Sequence, residues 1–382
     1  MKIALVADWL TVFGGAEHVI AEFHRLWPLA PLFTTVARKQ MMATLNPFII
    51  HTSRLQSIYR FFPRHQVLLP WMPQTIERCD LRPYDTILSS SHAVGKGIIP
   101  PSSALHICYC HTPMRYAWEM EKEYLEDYRI PKVLHSTVRG FLKKLRRWDL
   151  STAKRVDTFI ANSTTTQERI ARTYGRESIV IHPPAHDRFF RIPLVPPASK
   201  NTPPYFLAVG RLVPYKRFDL LIETANMLHC PLKIVGSGQD EKRLRKMAGP
   251  TVEFLGFVPD EDLPQLYANA RALLFAPLED AGVAPLEAQA CGIPVIAYGK
   301  GGILDTVKEE TGLFFETQSR ESIADAIRRF SALSFQPEDI RSHAMQFSSA
   351  KFREHVQGVI AETVKKFGRR RASSATMESC AA

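Results

Sequence analysis

"FAPLEDAGVAPLEAQACGIPVIAYGKGG", residues 275–302, reads as the end of a strand, a loop, a helix and the following strand. Pro285 suits the first helical position, where its missing N–H costs nothing, and Gly292 with Pro294 ends the helix. Short apolar runs alternate with helical patterns in the same way along nearly the whole chain. This alternation predicts an α/β fold in which crossover helices connect parallel strands.

The alternation occurs in two series, which predicts two doubly wound parallel-sheet (Rossmann-like) domains that face each other across a cleft. The chain has 382 residues, more than twice the usual size of a domain, so two domains are expected. The predicted strands of the first series are Lys2–Ala7, Thr86–Ser89, Leu105–Cys110, Thr158–Ala161 and Ser178–His182. Those of the second are Tyr205–Gly210, Leu232–Val235, Val252–Leu255, Ala272–Ala276 and Pro294–Ala297.

The domain boundaries follow from changes in composition along the chain. Residues 1–192 are expected to form an N-terminal domain and residues 205–345 a C-terminal domain. Residues 193–204 are rich in proline and lack a periodic apolar pattern, so they are predicted to be the linker. The small and polar residues 369–382 are predicted to be a disordered tail.

Composition limits the class of protein. With 45% hydrophobic and 23% charged residues the chain is typical of a globular protein, and its six cysteines show no disulfide or zinc spacing. The sequence shows no signal peptide and no apolar run of membrane-spanning length. The net charge of +11 calls for an anionic partner, which could be nucleic acid, an anionic membrane or a phosphorylated substrate. Nucleic acid is the least favoured, because the basic residues are not gathered on one helix with aromatic residues that stack on bases.

Two cations follow the first strand of the second series. Arg211 lies at the carboxyl end of the predicted strand Tyr205–Gly210, and Lys216 comes just before a predicted helix. A guanidinium fork, a mobile ammonium and a helix N-terminus together suit a diphosphate. The alternative interpretation is a pair of solvated surface cations.

Two acids, Glu279 and Glu287, lie eight positions apart in the opening stretch. Glu279 is predicted to lie in the loop and Glu287 in the first turn of the helix, both on the side of the two cations. One acid could hold ribose hydroxyls while the other holds a transferred sugar; the alternative is two solvated charges. Gly282 allows a ligand close to the backbone, and Gly301 with Gly302 could offer further N–H groups.

In the first half, His111 closes the predicted strand Leu105–Cys110, and His92 and Lys96 follow another strand. A histidine at such a position can be catalytic or structural. Gly14 and Gly15 give a tight turn into a helix, and Glu17 could stabilise the first turn of that helix.

Several segments together resemble a known family. "GRLVPYK", "VGSGQDEKRL", "FLGFVPDEDLPQLYANA" and the opening stretch, in this order, resemble the C-terminal half of the family 4 glycosyltransferases with the GT-B fold. Glu279 and Glu287 match the E-x7-E signature of that family, and Arg211 and Lys216 match its diphosphate-binding residues. "DWLTVFGGAEHVI" matches its Gly-Gly loop, and "SSSHAVGKG" and "CYCHTPMRYAWEM" resemble bacterial O-antigen and exopolysaccharide mannosyltransferases. Many members have an aromatic residue where this chain has Ala281.

The resemblance implies a retaining transfer of a hexose, most simply α-mannose from GDP-mannose, to a glycan carried on a polyprenyl diphosphate. It implies no cofactor and no protein-bound metal, and a last helix, residues 346–368, that packs back on the N-terminal domain. The implied catalytic residues are His111, Glu279, Arg211 and Lys216. The implied donor-binding residues are Gly14, Gly15, Arg211, Lys216, Glu279, Gly282, Val283, Ala284 and Glu287, and the acceptor-side candidates are Glu17, His92, Lys96 and Arg115. The alternatives are the same fold with a UDP-hexose donor, a sugar-nucleotide epimerase, or a nucleic-acid-binding protein.

The surplus of positive charge suggests a membrane surface. "RLQSIYRFFPRHQVLLPWMP", residues 54–73, and "RGFLKKLRRW", residues 139–148, mix cations with aromatic and aliphatic residues. Such a mixture suits the interface of an anionic bilayer. We therefore expect a cytoplasmic protein bound peripherally to the inner face of the cytoplasmic membrane. The alternative is a pair of core-facing helices with a basic polar side.

Overall fold

The computed structural model describes residues 1–45, 49–119, 121, 131–194 and 204–380. The chain divides into two compact units, Met1–His182 with Phe352–Ala382 and Pro183–Lys351. Residues 183–192, expected in the N-terminal domain, belong to the second unit, because Phe189 lies in its core and Ala185 pairs with Ser348. Most of the expected linker, residues 195–203, lies outside the described residues.

The first unit contains a parallel sheet. Its strands are β1 (Ile3–Ala7), β2 (Leu32–Thr34), β3 (Ile50–Thr52), β4 (Thr86–Ser91), β5 (Leu105–Cys110), β6 (Thr158–Ala161) and β7 (Ser178–Val180). In the described part of the unit they form a seven-stranded sheet with the order β3-β2-β1-β4-β5-β6-β7. The order reverses between β1 and β4, so the carboxyl ends of these two strands border the position where doubly wound sheets bind ligands.

Helices cover both faces of this sheet, which is why its strands are apolar on both faces. They are α1 (Gly15–Leu26), α2 (Lys39–Thr44), α3 (Leu55–Phe61), α4 (His65–Leu68), α5 (Met72–Ile76), α6 (Arg115–Trp118), α7 (His135–Ala153) and α8 (Thr164–Tyr174). One core cluster contains Phe23 of α1 and Tyr109 of β5. The cluster on the other side contains Met72 of α5 and Leu142 of α7.

The second unit repeats the architecture. Its strands are β8 (Phe206–Val209), β9 (Leu232–Val235), β10 (Val252–Gly256), β11 (Ala272–Phe275), β12 (Val295–Tyr298) and β13 (Gly312–Phe315). They form a parallel sheet with the order β10-β9-β8-β11-β12-β13. Its helices are α9 (Asp187–Phe190), α10 (Phe218–Leu228), α11 (Glu241–Met247), α12 (Leu263–Asn269), α13 (Val283–Ala290), α14 (Ile303–Thr306), α15 (Arg320–Phe330) and α16 (Pro337–Ala344). The strand order reverses between β8 and β11.

The last helix, α17 (Ser349–Cys380), returns to the first unit. Its buried side chains Phe352, Val356 and Ile360 belong to the core cluster around Phe23, and Arg353 pairs with the buried Glu22 of α1. The backbone of residues 369–380 continues the helix, in contrast to the expected disordered tail, because Arg, Ala, Met and Glu are good helix formers.

The expected fold class is confirmed, since each unit is a doubly wound parallel sheet. Within the described ranges, no helix combines the length and the apolar composition that crossing a bilayer requires.

Candidate active site

An ion pair lies at the carboxyl edge of the second sheet, where its strand order reverses. Lys216 follows β8 in a short 3-10 turn, Glu279 follows β11, and the Lys216 ammonium contacts the Glu279 carboxylate. The two side chains are only 14% and 16% exposed. Arg217, next to Lys216, has φ of 54°, a left-handed conformation that ends the turn and lets α10 begin at Phe218. The pair therefore joins the loops on both sides of the switch point.

Arg211 lies at the start of the same loop as Lys216, directly after the end of β8. Its side chain is exposed, and its Nη2 donates a hydrogen bond of 3.4 Å to the Tyr215 hydroxyl. The structure thus places both predicted cations at this edge, with Lys216 bound to an acid and Arg211 open to solvent.

The N-terminus of α13 follows the same loop as Glu279. The helix begins at Val283 with Gly282 as its N-cap, two residues earlier than the prediction, so Pro285 occupies the third helical position. The N–H groups of Val283 and Ala284 belong to the first turn, where backbone donors have no partner within the helix. Gly282 also fits closely, because an added Cβ would lie 3.0 Å from the ring of Pro285.

Gly302, after β12, has a different role from the predicted one. The N–H of Gly302 donates to the carbonyl oxygen of Glu279 at 2.9 Å, so this donor holds the loop and is not offered to a ligand. A Cβ at Gly302 would lie 1.8 Å from the carbonyl oxygen of Asp280, so only glycine allows this close approach.

Glu287 lies in the second turn of α13, one turn later than predicted, because the helix starts earlier. Its carboxylate accepts a 2.8 Å hydrogen bond from the Tyr267 hydroxyl of α12. Burial raises the pKa of Glu287 to about 7, although the hydrogen bond from Tyr267 and the charge of Arg188 act in the opposite direction. The two acids of the pattern therefore lie in different surroundings. Glu279 forms an ion pair with Lys216, and Glu287 is hydrogen-bonded to the phenol of Tyr267.

In the first unit, the strand ends at the switch point meet at a buried carboxylate, Asp8, which follows β1. Its oxygens accept hydrogen bonds from Ser91 Oγ at 2.9 Å, from the backbone N–H groups of His92 and Ala93 at 2.7 and 3.2 Å, and from the N–H of Gly95. The His92 ring adds an Nδ1 contact at 2.9 Å. Burial opposes ionisation, but His92 and these N–H groups lower the pKa of Asp8 to about 2. Sequence reasoning missed Asp8, although its position directly after a buried strand was a usable signal.

His111, predicted to be catalytic, lies after β5 as expected. Its Nε2 is 2.8 Å from Ser90 Oγ, and its carbonyl oxygen accepts a 3.2 Å hydrogen bond from Thr166. Burial, together with the charge of His92, lowers the pKa of His111 to about 3, so the ring is neutral at physiological pH. The rings of His92 and His111 have centroids 6.3 Å apart.

Glu17 and the two glycines form the start of α1. Gly14 is the N-cap and Gly15 the first helical residue, and the Gly14 N–H donates to the Glu17 carboxylate at 3.0 Å. Glu17 therefore caps its own helix, in agreement with the role of a first-turn acid. Burial raises the pKa of Glu17 to about 7.

Lys96 is not on the acceptor side, contrary to the prediction. Its ammonium is buried in the core, where it pairs with the carboxylate of Asp149 and lies 3.2 Å from Thr152 Oγ1. Lys96 was a candidate for contact with an acceptor or a phosphate, but the 3-10 turn Gly95–Gly97 directs its side chain inward onto α7.

Arg115, the other acceptor-side candidate, is the first residue of α6, four residues after His111. Burial, together with the nearby positive charge of Arg115, lowers the pKa of Arg169. Arg169, which sequence reasoning missed, is nearly buried and donates to Thr112 Oγ1 at 3.3 Å. Two arginines therefore accompany the segment that follows His111.

Within the described ranges, no group of three or more His, Cys, Asp or Glu side chains comes together in a way that could hold a metal ion.

Comparison with known proteins relates part of the chain to a family. Residues 195–347 match the family described as "Glycosyl transferases group 1". A protein of Corynebacterium glutamicum, named GDP-mannose-dependent monoacylated alpha-(1-6)-phosphatidylinositol monomannoside mannosyltransferase, is 34% identical over 145 residues, which are 33% of this chain and 38% of that protein. The chain thus spans less than half of that relative's length. Mannosylfructose-phosphate synthase of Agrobacterium fabrum is 26% identical over 286 residues, 65% of this chain and 62% of that protein.

Among solved structures, Anabaena Alr3699/HepE in complex with UDP superposes with a TM-score of 0.68 at 19% identity, covering 95% of this chain and 100% of that chain. At this identity the likeness shows the fold. Residues 195–347 therefore match the group 1 glycosyltransferases, and the chain has the two parallel-sheet units of the GT-B fold.

Proposed function

We propose that the protein is a retaining glycosyltransferase that moves a hexose, α-mannose from GDP-mannose, to a polyprenyl-diphosphate-linked glycan in the biosynthesis of a polysaccharide such as O-antigen, capsule or exopolysaccharide. The observation that carries this proposal is the Lys216–Glu279 ion pair at the switch point of the second sheet, beside the first turn of α13. This is the edge at which doubly wound sheets bind nucleotides.

The donor's diphosphate suits the groups at this edge. Lys216 supplies an ammonium, Arg211 an exposed guanidinium, and α13 two N–H groups with the positive end of its dipole. As the bond between sugar and diphosphate breaks, negative charge grows on the leaving group, and these fixed donors stabilise it. Glu279 balances Lys216 before the donor binds, and afterwards its carboxylate accepts hydrogen bonds from hydroxyls of the transferred sugar.

Glu287 is proposed to bind the ribose of the donor. Its carboxyl, on the next turn of the same helix, can accept hydrogen bonds from two vicinal hydroxyls when it is ionised. Tyr267 supports this role, since its hydroxyl fixes one carboxylate oxygen from α12.

The first unit supplies the acceptor-side groups. His111 is a neutral imidazole at the carboxyl end of β5, and Gly14, Gly15 and Glu17 shape the N-terminus of α1. We propose that the neutral His111 ring positions sugar hydroxyls, and that Arg115, at the start of α6, favours an anionic acceptor.

The choice of GDP-mannose is supported by the name of the Corynebacterium glutamicum relative, which is a GDP-mannose-dependent mannosyltransferase. A UDP-hexose is the second candidate donor, because Anabaena Alr3699/HepE has been solved in complex with UDP-glucose at a TM-score of 0.69.

The experiment is an acceptor-dependent nucleotide-release assay. Purified protein is incubated with GDP-mannose or UDP-glucose, with and without a polyprenyl-diphosphate glycan, and free nucleotide diphosphate and glycosylated lipid are measured. We expect GDP release that requires the acceptor and is lost in Lys216→Ala. The matched control is Arg329→Ala, which removes an exposed cation in the last turn of α15 that pairs with Asp325. This variant should retain wild-type release. Acceptor-independent conversion of the sugar would instead indicate an epimerase.

Peripheral binding to an anionic membrane is part of the proposal. In the segment 54–73, five apolar side chains are exposed on the first unit, with two arginines between them. This apolar–basic patch consists of Ile58, Phe61, Phe62, Val67 and Trp71 with Arg60 and Arg64. Phe61 is 82% exposed and Phe62 is 70% exposed, and contact of such large aromatic rings with water is unfavourable. Anionic headgroups with an apolar interior beneath them match both components of the patch.

The second basic segment contributes less than expected. Lys143, Lys144 and Arg147 of α7 are exposed, but Arg146 is bound to the Ala117 carbonyl and to Glu121. Trp148 packs against Gly97, donates to Glu77 at 2.9 Å and lies half-buried against the core cluster that contains Met72. The position of this tryptophan favours the alternative interpretation, a core-facing helix with a basic polar side.

Vesicle co-sedimentation tests the membrane partner. We expect binding to phosphatidylglycerol vesicles and not to phosphatidylcholine vesicles, with release as salt rises, because each cation near an anionic surface contributes about 1 kcal/mol. Replacing Phe61, Phe62 and Trp71 together by Ser should abolish binding, while Leu29→Ser, an equally exposed apolar residue of the same unit, should not. Equal binding of both variants would contradict the patch.

A further inference from the structure

An apolar groove lies between α3 and α4 on the surface of the first unit. Its floor is formed by the buried side chains of Leu55 and Leu68, and its rim by the exposed side chains of Ile58, Phe62, Val67 and Trp71. The groove has a volume of about 350 Å³, within the range of about 300–1,000 Å³ that is typical of small-molecule sites. An aliphatic floor between aliphatic and aromatic walls suits a hydrocarbon chain.

A polar cavity borders the residue next to this groove. Leu55 lines the groove, and Arg54, its neighbour in the chain, lines a cavity of about 550 Å³ together with Arg78. Asp80, the acid that lines this cavity, accepts two hydrogen bonds from Arg82, both of 2.8 Å, so its charge is already balanced. The cavity therefore offers two exposed guanidinium groups to an anion, beside an apolar groove.

Two hydroxyl groups that line the polar cavity donate within the protein. Ser53 Oγ donates to the carbonyl oxygen of Thr35 at 2.7 Å, and Thr75 Oγ1 donates to that of Met72 at 2.9 Å. Each hydroxyl has one proton to donate, so neither has a second one for a bound anion. The recognition of negative charge in this cavity therefore falls on its arginine side chains.

We propose that the groove holds the hydrocarbon chain of a single polyprenyl diphosphate and that Arg54 and Arg78 bind its diphosphate. The inference rests on the proposed function, whose acceptor is carried on such a lipid, and it names the site that recognises the carrier. Complementarity argues for this occupant. An isoprenoid chain is apolar along its whole length, and the diphosphate at its end carries more negative charge than the phosphodiester of a phospholipid, which matches a groove beside two arginines.

The groove also lies beside the carboxyl edge of the first sheet. α4, which forms one wall of the groove, begins at His65, and the ring of His65 packs on Trp9 with centroids 4.7 Å apart. Trp9 packs edge-on against His92, with centroids 5.0 Å apart. Trp9 follows β1 and His92 follows β4, so a lipid in the groove is held near the switch point of its own unit.

The groove and the apolar–basic patch share residues, but substitutions can separate them. Phe61 is the most exposed apolar member of the patch, at 82%, and does not line the groove. Ile58 and Val67 line the groove and are 50% and 61% exposed, so larger side chains at these positions can fill it without entering the core. Binding of one lipid chain and binding of a bilayer are therefore separable properties.

Calorimetric titration with soluble isoprenoid diphosphates, in the absence of membrane, tests the proposal. The titrations use the Arg211→Ala/Lys216→Ala background, so that the donor edge does not compete for diphosphate. Farnesyl diphosphate should bind at one site and about 10-fold or more tighter than inorganic diphosphate, because its chain leaves water on binding. Geranyl diphosphate, one isoprene unit shorter, should have an intermediate affinity. Adding Arg54→Gln and Arg78→Gln should weaken all three ligands by about 10-fold or more.

The double substitution Ile58→Trp/Val67→Trp tests the groove itself. The two indole rings fill it, so farnesyl diphosphate should bind no more tightly than inorganic diphosphate. Co-sedimentation with phosphatidylglycerol vesicles should persist in this variant, because the apolar surface of the patch has increased. The matched control is Phe61→Trp, a change on the same helix outside the groove, which should keep the preference for farnesyl diphosphate.

The outcomes are distinguishable. Equal affinities for farnesyl and inorganic diphosphate, or an unchanged preference in Ile58→Trp/Val67→Trp, would overturn the proposal. Tighter binding of soluble dihexanoylphosphatidylglycerol than of farnesyl diphosphate would also overturn it, since the groove would then belong to a phospholipid. Nucleotide release tests the proposed function separately. Sugar transfer without a chain preference would refute the groove alone, and a chain preference without sugar transfer would refute the proposed function alone.

Discussion

Replacing Glu279 by Gln changes the charge at the donor edge and almost nothing else, because the two side chains have the same shape. In the wild type the Lys216 ammonium contacts the Glu279 carboxylate, and both side chains are about 85% buried, being 14% and 16% exposed. Two unit charges about 4 Å apart interact by about 4 kcal/mol at the dielectric typical of sites near a protein surface. Part of this is offset by the hydration that the two groups lose, so we expect the variant to be about 1–2 kcal/mol less stable.

The same change should strengthen the binding of free nucleotide diphosphate. In the variant, Lys216 has lost its intramolecular counter-charge, and the diphosphate no longer competes with a carboxylate for the ammonium. An effect of about 1–2 kcal/mol corresponds to about 5- to 30-fold tighter binding. Turnover should change in the opposite direction, falling on the order of 100-fold, because the amide cannot hold sugar hydroxyls as the carboxylate does.

The assays are isothermal titration with GDP and initial rates with GDP-mannose and acceptor. Glu310→Gln, an exposed acid in the turn before β13, is the control and should change neither. If Glu279→Gln binds GDP tenfold more weakly than the wild type and turns over at the same rate, Glu279 belongs to the nucleotide site and the reasoning is wrong.

Three further predictions follow from buried groups. Burial raises the pKa of Glu287 to about 7, so the carboxyl becomes ionised as pH rises from 6 to 8. Over this range the affinity for GDP should increase in the wild type and stay constant in Glu287→Gln. Calorimetric titration at both pH values measures this, and a constant affinity in the wild type would contradict the ribose role. Burial lowers the pKa of His106 from 6.5 to about 4, so the unfolded chain alone gains this proton between those values. The urea-derived free energy of unfolding should therefore fall by about 2 kcal/mol more in the wild type than in His106→Gln between pH 7.5 and pH 5, and equal losses would refute this. Lys96→Met should lower the urea-derived free energy of unfolding by about 3 kcal/mol, because it leaves Asp149 buried without its cation; an unchanged value would contradict the core role.

The sequence predicted most of the described strands and missed three, Leu32–Thr34, Ile50–Thr52 and Gly312–Phe315. Leu105–Cys110, Thr158–Ala161 and Leu232–Val235 have the predicted bounds. The missed strands include Leu32–Thr34 and Ile50–Thr52, each of three residues, which are too short for a periodic signal. They are strands because parallel neighbours fix them, with Phe33 paired to Val6 and to His51.

The positions of candidate residues could be predicted where each follows a recognisable strand end, and not where contacts form between distant segments. Arg211, Lys216 and Glu279 lie at strand ends that the alternation located. Asp8 and His92 are 84 residues apart and meet only because β1 and β4 are neighbours in the sheet, which no local pattern reveals.

Glu287 lies one turn further along its helix than predicted, and this shift has a local cause. A helix can begin at Val283 because glycine is an acceptable N-cap and Pro285 is tolerated anywhere in the first turn. The pattern of residues allowed both starts, and the structure selects the earlier one.

Calorimetric titration of GDP into the wild type and into the double variant Arg211→Ala/Lys216→Ala tests the central claim most directly. Both cations lie at the carboxyl edge of the second sheet, and their removal should leave the fold intact, because neither lies in a hydrophobic core cluster. The account predicts saturable, one-site binding to the wild type and a loss of affinity on the order of 100-fold or more in the double variant. Equal affinity of the two proteins for GDP would contradict it.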